Sequence, residues 1–418
     1  MTAEKVAELL AERVTDPVRL TDAVAAMTRQ SRYADLLPWR PASLSTGHAG
    51  LAVLCAAFDS HRPGDGWDRA GHRHLATAVA AAAPYDVSLF SGLAGIGFAA
   101  TLLAAGRPRY ERLLCSVDAT IGPAVTAAAG RLNSADGCAA SDHDLISGLT
   151  GTGVYLLARP RSAALTDTLS ALSRLLADRG HPRRWHTPAH LTTGTLRDYF
   201  PQGHHNCGMA HGVPGPMALL ALAILDGAEV PGAREAIEAT ATWLAEHHVG
   251  TADAPDWPDA IALDHPGSPP PCGREAGRAA WCYGAIGVAR SLWLAGTALG
   301  RPEWRDLAAR TIRAVAARPP DRWWLSTSGL CHGQAGLLQV LRRFVTDLDD
   351  PAIAATAETL ASGLAAEYDP DTLLGLRIAE PEGVLVDHPG LLDGAPGVAL
   401  ALLGPTPDLS WDRMFLLS

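Results

Sequence analysis

Seven times along this chain a Gly-x-x-Gly pair opens a run of small or apolar residues. The instances are "TGHAGLAVL" at Gly47, "SGLAGIGFAATLL" at Gly92, "SGLTGTGVYLL" at Gly148, "HGVPGPMALLAL" at Gly212, "YGAIGVARSLW" at Gly284, "HGQAGLLQVL" at Gly333 and "DGAPGVALALL" at Gly394. Successive first glycines lie 45, 56, 64, 72, 49 and 61 residues apart. One such pair is a turn or a helix contact. Seven at this spacing mark repeated supersecondary units, none able to bury its apolar face alone. Between them run amphipathic segments such as "AREAIEATATWLAEHH", "PEWRDLAARTIRAVAA" and "PAIAATAETLASGLAAEY", with apolar residues three and four apart. The runs after the glycines are apolar nearly all round, as buried helices are. Alanine and leucine dominate while aromatic residues make up 6% of the chain, which favours helices over sheets. The expected fold is all-α: an α/α toroid, a double barrel of seven inner and seven outer helices, as a single domain over residues 1–418. The proline-rich stretch "APDWPDAIALDHPGSPPPCGREAGR" reads as a long loop within the ring.

Charge and cysteine content narrow the function classes. The formal net charge is −10 and no basic stripe occurs, which argues against a nucleic-acid partner. The opening "MTAEKVAELLAERVTDP" is charged and amphipathic, unlike a signal peptide, and no uncharged apolar run is long enough to span a membrane. A soluble cytoplasmic protein without stable membrane insertion is expected. The cysteines Cys55, Cys115, Cys138, Cys207, Cys272, Cys282 and Cys331 number seven, and an odd count in a chain this long does not suggest a disulfide framework. Most are expected to be small buried residues, leaving a few as ligands.

In a ring of repeats, equivalent positions point to the same rim. The residues just before the first glycines are Thr46, Ser91 and Ser147 in repeats one to three, His211 in repeat four, and Cys282 with Tyr283 in repeat five. Repeat six places Cys331 and His332 there, and repeat seven Asp393. Three consecutive repeats thus bring metal-binding or acid–base groups into register. Cys282, Cys331 and His332 form a two-thiol, one-imidazole set suited to one zinc ion per chain. Three protein ligands leave a fourth position open, as in catalytic sites. The alternative for each alone is a packed cysteine or a satisfied core histidine. Arg278 stands four before Cys282, and Asp144 four before Gly148. Asp144 is either a site residue or a helix cap, and Arg278 either a site residue or the partner of a loop carboxylate. His204 and His205 are expected in a polar loop, and Cys207 as a packed thiol.

A metal already bound by two thiolates is electron-rich, so an incoming thiol suits the open position better than water. A free cysteine has a pKa near 8.5, and coordination to zinc deprotonates it. The implied chemistry is attack of an activated thiolate on an electrophilic carbon.

The segments "NCGMAHGVPGP", "RAAWCYGAIGV" and "SGLCHGQAGLL", with the ending "SWDRMFLL", resemble the signatures of the lanthionine synthetase C-like family, the lanthipeptide cyclases. The resemblance covers nearly the whole chain. It implies an α/α toroid, one zinc and cyclisation of a dehydrated precursor peptide. In that reaction a peptide cysteine adds to dehydroalanine or dehydrobutyrine, giving lanthionine or methyllanthionine rings. Position by position, Cys282, Cys331 and His332 match the zinc ligands, His211 the acid–base histidine, and Asp144 an acidic residue of the site. Arg278 and Tyr283 match the polar residues flanking the metal. The roles implied are protonation of the α-carbon by His211, stabilisation of the enolate by Arg278, and orientation of His211 or thiol deprotonation by Asp144. Two departures from the family pattern are Ile286, where proline is frequent, and Cys207, where an aliphatic residue is usual. The resemblance further implies a separate dehydratase and an exporter as partners.

Rival readings are a relative that adds glutathione or another thiol to dehydroamino acids, and a non-catalytic zinc-containing peptide scaffold. Protein prenyltransferases also alkylate thiols in helical toroids, but they require a carboxylate ligand that is not in register here. A carbohydrate-active toroid would need paired carboxylates, for which Asp144 and Asp393 are the candidates.

Overall fold

The computed structural model describes residues 1–35, 38–192, 195–264, 277–380, 383–406 and 409–418. Cys272 lies outside the described residues, as do residues 265–276, about half of the proline-rich stretch. In chain order the helices are α1 (Ala3–Thr15), α2 (Pro17–Gln30), α3 (His48–His61), α4 (Trp67–Ala80), α5 (Leu93–Ala104) and α6 (Glu111–Ser134). They continue as α7 (Ala140–His143), α8 (Leu149–Leu157), α9 (Ala163–Leu176), α10 (Thr195–Tyr199), α11 (Pro214–Leu225) and α12 (Ala233–Glu246). The last are α13 (Ala285–Leu299), α14 (Pro302–Ala317), α15 (Gln334–Leu348), α16 (Pro351–Ala366) and α17 (Ala395–Leu403). Among the described residues the strands are β1 (His204–Asn206), β2 (Val249–Gly250), β3 (Pro255–Asp256), β4 (Ala260–Ala262), β5 (Ile378–Ala379) and β6 (Leu385–Val386), in antiparallel pairs β1–β4, β2–β3 and β5–β6.

The seven Gly-x-x-Gly runs are α3, α5, α8, α11, α13, α15 and α17. Apolar side chains all round leave these helices no face for water. Every residue of α8 is buried, as is α11 from Pro214 to Ala223. The intervening helices bury one stripe only. Helix α9 buries Leu165, Leu169, Leu172 and Leu176 at helical spacing, and α14 buries Trp304, Leu307, Ala308, Thr311, Ile312 and Val315.

Six of the seven first glycines are N-caps: Gly47, Gly92, Gly148, Gly284, Gly333 and Gly394. In the fourth repeat the cap is Val213, because Pro214 takes the first helical position, where its missing N–H costs nothing. The second glycine has a steric reason. A Cβ at Gly50 or Gly336 would run into the carbonyl oxygen of Leu44 or Leu330, six residues upstream. The loop before each of these helices therefore folds back over its first turn. Among these six first glycines Gly284 alone has a positive φ, +122° with ψ −177°, a conformation open essentially to glycine.

The chain divides into two compact units, residues 1–118 with 325–411, and residues 119–324 with 412–418. In the first, the apolar helices pack in the order α15, α17, α3, α5, with α16 against α15, α4 against α3, and α1 against both α17 and α16. The last repeat thus takes its outer helix from the start of the chain. In the second unit α8, α11 and α13 pack in succession, with α9, α12 and α14 on them. The closing "SWDRMFLL" segment belongs here by its last residues. Trp281 Nε1 donates to the Phe415 carbonyl at 3.0 Å, and Arg290 Nε to that of Leu417 at 2.8 Å. Helix α6 is long and apolar enough, by length and composition, to cross a membrane. It carries Asp118 and Pro123, which is why no uncharged run stood out there.

Candidate metal centre and active site

Backbone hydrogen bonds bring the register positions together. In the second unit, Leu145 N donates to the Ala210 carbonyl at 3.1 Å, and Ala210 N donates to the Cys282 carbonyl at 3.2 Å. The loops of repeats three, four and five are thereby stitched side by side, one residue from Asp144, from His211 and at Cys282 itself. In the first unit, Leu330 N and Cys331 N both donate to the Leu392 carbonyl at 2.9 and 3.1 Å. Leu392 N in turn donates to Ser45 O at 3.1 Å, and Leu44 N to Phe90 O at 3.0 Å. Within each unit, each loop grips the next through the residues two and three before its first glycine, which brings the side chains beside them to one side of that unit.

His211 and Asp144 meet through this stitching. His211 Nδ1 lies 2.6 Å from Asp144 Oδ2, a charge-assisted contact. The aspartate side chain is 2% exposed and the histidine side chain 38%. The other oxygen of Asp144, Oδ1, accepts from Ser147 N at 2.7 Å and Gly148 N at 2.8 Å. The cap expected as one alternative for Asp144 is present, and it uses only one carboxylate oxygen. One oxygen caps the turn into α8 while the other faces the histidine.

Tyr283 stacks beside His211, with ring centroids 6.0 Å apart and planes 30° apart. Its hydroxyl accepts from Asn206 Nδ2 at 2.9 Å, while Asn206 Oδ1 accepts from Gly208 N at 2.9 Å. A Cβ at Gly208 would press into the Tyr283 ring and the Cys282 carbonyl, so only glycine admits this approach. Burial pushes the Tyr283 phenol up to about 12, opposed by the Asn206 hydrogen bond and reinforced by Cys282, Asp259 and Asp144. It stays neutral at physiological pH.

Arg278 is half-buried. One of its terminal nitrogens lies 3.6 Å from Asp259 Oδ2, the loop-carboxylate pairing weighed from sequence. Its carbonyl abuts Gly284, where any Cβ would collide with it. Cys282 is buried, between Trp281, which the chain's end holds, and Tyr283. It offers one thiol from the second unit. From the first unit Cys331 offers a thiol and His332 an imidazole, both partly exposed, at the turn into α15. These are donors a metal ion can use. Beside them, Asp393 Oδ1 lies 3.7 Å from His332 Nδ1.

Other expectations part from the structure. His204 and His205 lie buried in β1 rather than in a polar loop, because β1 pairs with β4 and its side chains pack among aromatic rings. His205 contacts Trp185 and Trp243, with centroids 4.6 and 5.5 Å away. Burial drives its pKa down to about 3, and that of His204 to about 4. Cys207 is a buried packed thiol pushed well above its usual range. No disulfide occurs among the described residues. Asn206 and Asp259 escaped the sequence reading. Asn206 stands two before Gly208 in a distinctive segment, but Asp259 lies in an irregular loop with no register to mark it.

A profile of lanthionine synthetase C-like proteins matches residues 38–416. The chain belongs to the lanthionine synthetase C-like family. The nisin biosynthesis protein NisC of Lactococcus lactis subsp. lactis is 24% identical over 313 residues, spanning 72% of this chain and 73% of that protein. A solved nisin cyclase superposes with a TM-score of 0.76 at 20% identity, covering 95% of this chain and 97% of that one. That likeness carries the fold. The all-α, α/α toroid class read from the seven glycine pairs is the fold of this lanthionine synthetase C-like protein.

Proposed function

We propose that this protein is a zinc-dependent lanthipeptide cyclase, joining cysteine thiols of a dehydrated precursor peptide to dehydroalanine or dehydrobutyrine in the same peptide. The observation that carries the proposal is the His211–Asp144 pair, stitched by one backbone hydrogen bond to the loop of Cys282. Family membership supports it, as does the likeness to the nisin biosynthesis protein NisC and to a nisin cyclase.

Cys282, Cys331 and His332 are proposed to hold the zinc, a three-donor set able to take a metal ion. Two thiols and an imidazole fit zinc and leave a fourth position open. Bound there, zinc would supply a site that deprotonates an incoming peptide thiol near neutral pH.

The protein's own groups account for the rest. Closing the ring forms a sulfur–carbon bond at the β-carbon and breaks the carbon–carbon π bond. Negative charge passes to the enolate oxygen. The α-carbon then takes one proton, so the peptide neither gains nor loses mass. His211 is assigned as the donor of that proton. Asp144, held by Ser147 N and Gly148 N, fixes the imidazole through Nδ1 and leaves Nε2 to face substrate. Tyr283, neutral and held by Asn206, walls one side of the imidazole. Arg278 is assigned to the enolate oxygen, and binding must draw it from the exposed Asp259 carboxylate. A separate dehydratase is the class of enzyme that must supply the substrate.

The test pairs elemental analysis with thiol titration. A dehydrated peptide with one cysteine should lose its free thiol without mass change, and the wild type should carry about one zinc per chain. Cys331→Ala should lose both. Zinc with no thiol loss would favour the scaffold reading. A mass increase in the presence of glutathione would favour addition of a small thiol.

A further inference from the structure

We infer that Asp393 is a positioning residue for the metal site: its carboxylate receives the Nδ1–H of His332 and so turns Nε2 toward the zinc. The inference rests on the zinc reading above.

Three observations carry it. Asp393 Oδ1 is a buried carboxylate oxygen with no hydrogen-bond partner among the described residues. Leaving such an atom unmet is costly, so its placement needs a cause. His332 Nδ1 lies 3.7 Å from it. That exceeds a hydrogen bond, so the inferred contact requires the partly exposed imidazole to turn toward the carboxylate. Finally, the backbone leaves little room for other arrangements. Leu392, the residue before Asp393, accepts from both Leu330 N and Cys331 N, and Gly329 packs directly on the Asp393 backbone. The carboxylate is thus built into the floor beneath the Cys331–His332 turn.

Metal-binding histidines donate their second N–H to a carboxylate or carbonyl, which sets the tautomer and raises ligand basicity. The chain has already solved this problem once, in the Asp144–His211 pair. There the aspartate comes from the preceding repeat. Here it comes from the following one, at the same register position as the histidine.

The experiment measures the zinc dissociation constant by competition with a chromogenic chelator, on the full chain at fixed pH. Wild type, His332→Ala, Asp393→Ala and Asp393→Asn are compared, with the melting temperature of each zinc-free protein. Asp393→Ala should bind zinc 10- to 100-fold more weakly than wild type, with an unchanged zinc-free melting temperature. Asp393→Asn, whose Oδ1 still accepts, should fall between them, and it decides the matter if the alanine variant folds poorly. Zinc affinity within twofold of wild type in both Asp393 variants, while His332→Ala loses the metal, would overturn this inference alone. Failure of the wild type to bind zinc would overturn the parent reading with it, and His332→Ala would then be indistinguishable from wild type.

Discussion

His205 and His211 stand six residues apart and have opposite environments. His205 lies in β1, 3% exposed, among Trp185, Trp243 and His186, and it accepts from Arg183 N at 3.2 Å. His211 stands at the turn into α11, partly open to solvent, with a buried carboxylate on Nδ1. The first is held neutral by desolvation and by neighbouring positive groups. The second has a carboxylate partner and a face open to solvent. A partner and an opening set the two histidines apart, and closeness in sequence confers neither.

The largest effect expected from breaking this contrast is at His211. His211→Asn should lower the ring-forming rate by about 10²- to 10⁴-fold, while peptide binding, followed by fluorescence anisotropy, changes little. His205→Gln should leave the rate at pH 7 within a few-fold of wild type. Equal losses in the two variants would erase the distinction.

Asp144→Asn comes next. The amide oxygen can still accept from Ser147 N and Gly148 N, so the cap survives while the charge facing His211 is lost. The rate should fall by about 10- to 100-fold with a near-native melting temperature. Asp144→Ala should in addition lose about 1 kcal/mol of stability through the cap. A chemical denaturation curve separates the two losses.

The pH dependence sharpens the comparison from the side of His205. Its folded pKa of about 3 lies below the unfolded value of about 6.5. The unfolded chain therefore binds the proton first. Stability from this group is complete above about pH 6.5 and declines as the pH falls toward 3. His205→Gln should flatten the fall in melting temperature between pH 6.5 and 4. An unaltered acid limb would show that His205 is solvated after all.

The smallest effect is expected at Tyr283. With a phenol pKa of about 12, it carries no charge through the working range. Tyr283→Phe should cost only a few-fold in rate and leave the alkaline limb below pH 10 unmoved. A displaced limb would make Tyr283 a proton carrier in its own right.

The seven glycine pairs announced the repeats because steric closeness is written in residue type. A Cβ at Gly336 would strike the Leu330 carbonyl, and no other residue fits. Apolar runs and amphipathic segments likewise mark buried and half-buried helices directly. The register before each first glycine was enough to single out His211, Cys282, Cys331 and His332. It did not reveal that α1 serves the last repeat, since nothing in the sequence of α17 names a partner 380 or more residues upstream.

Local sequence determined the repeat, the helices and the residue types on the rim, because helical periodicity and glycine sterics act within a few residues. Only the tertiary structure decided which of these groups touch. Asp144 became both a cap and a histidine partner because the Leu145–Ala210 hydrogen bond draws two loops together across 65 positions of chain. His205 was buried by the pairing of β1 with β4 and by the aromatic rings around it, and Arg278 met Asp259 through an irregular loop. Each of these contacts joins loops distant in sequence, and the packing of the helices beneath them sets where those loops meet.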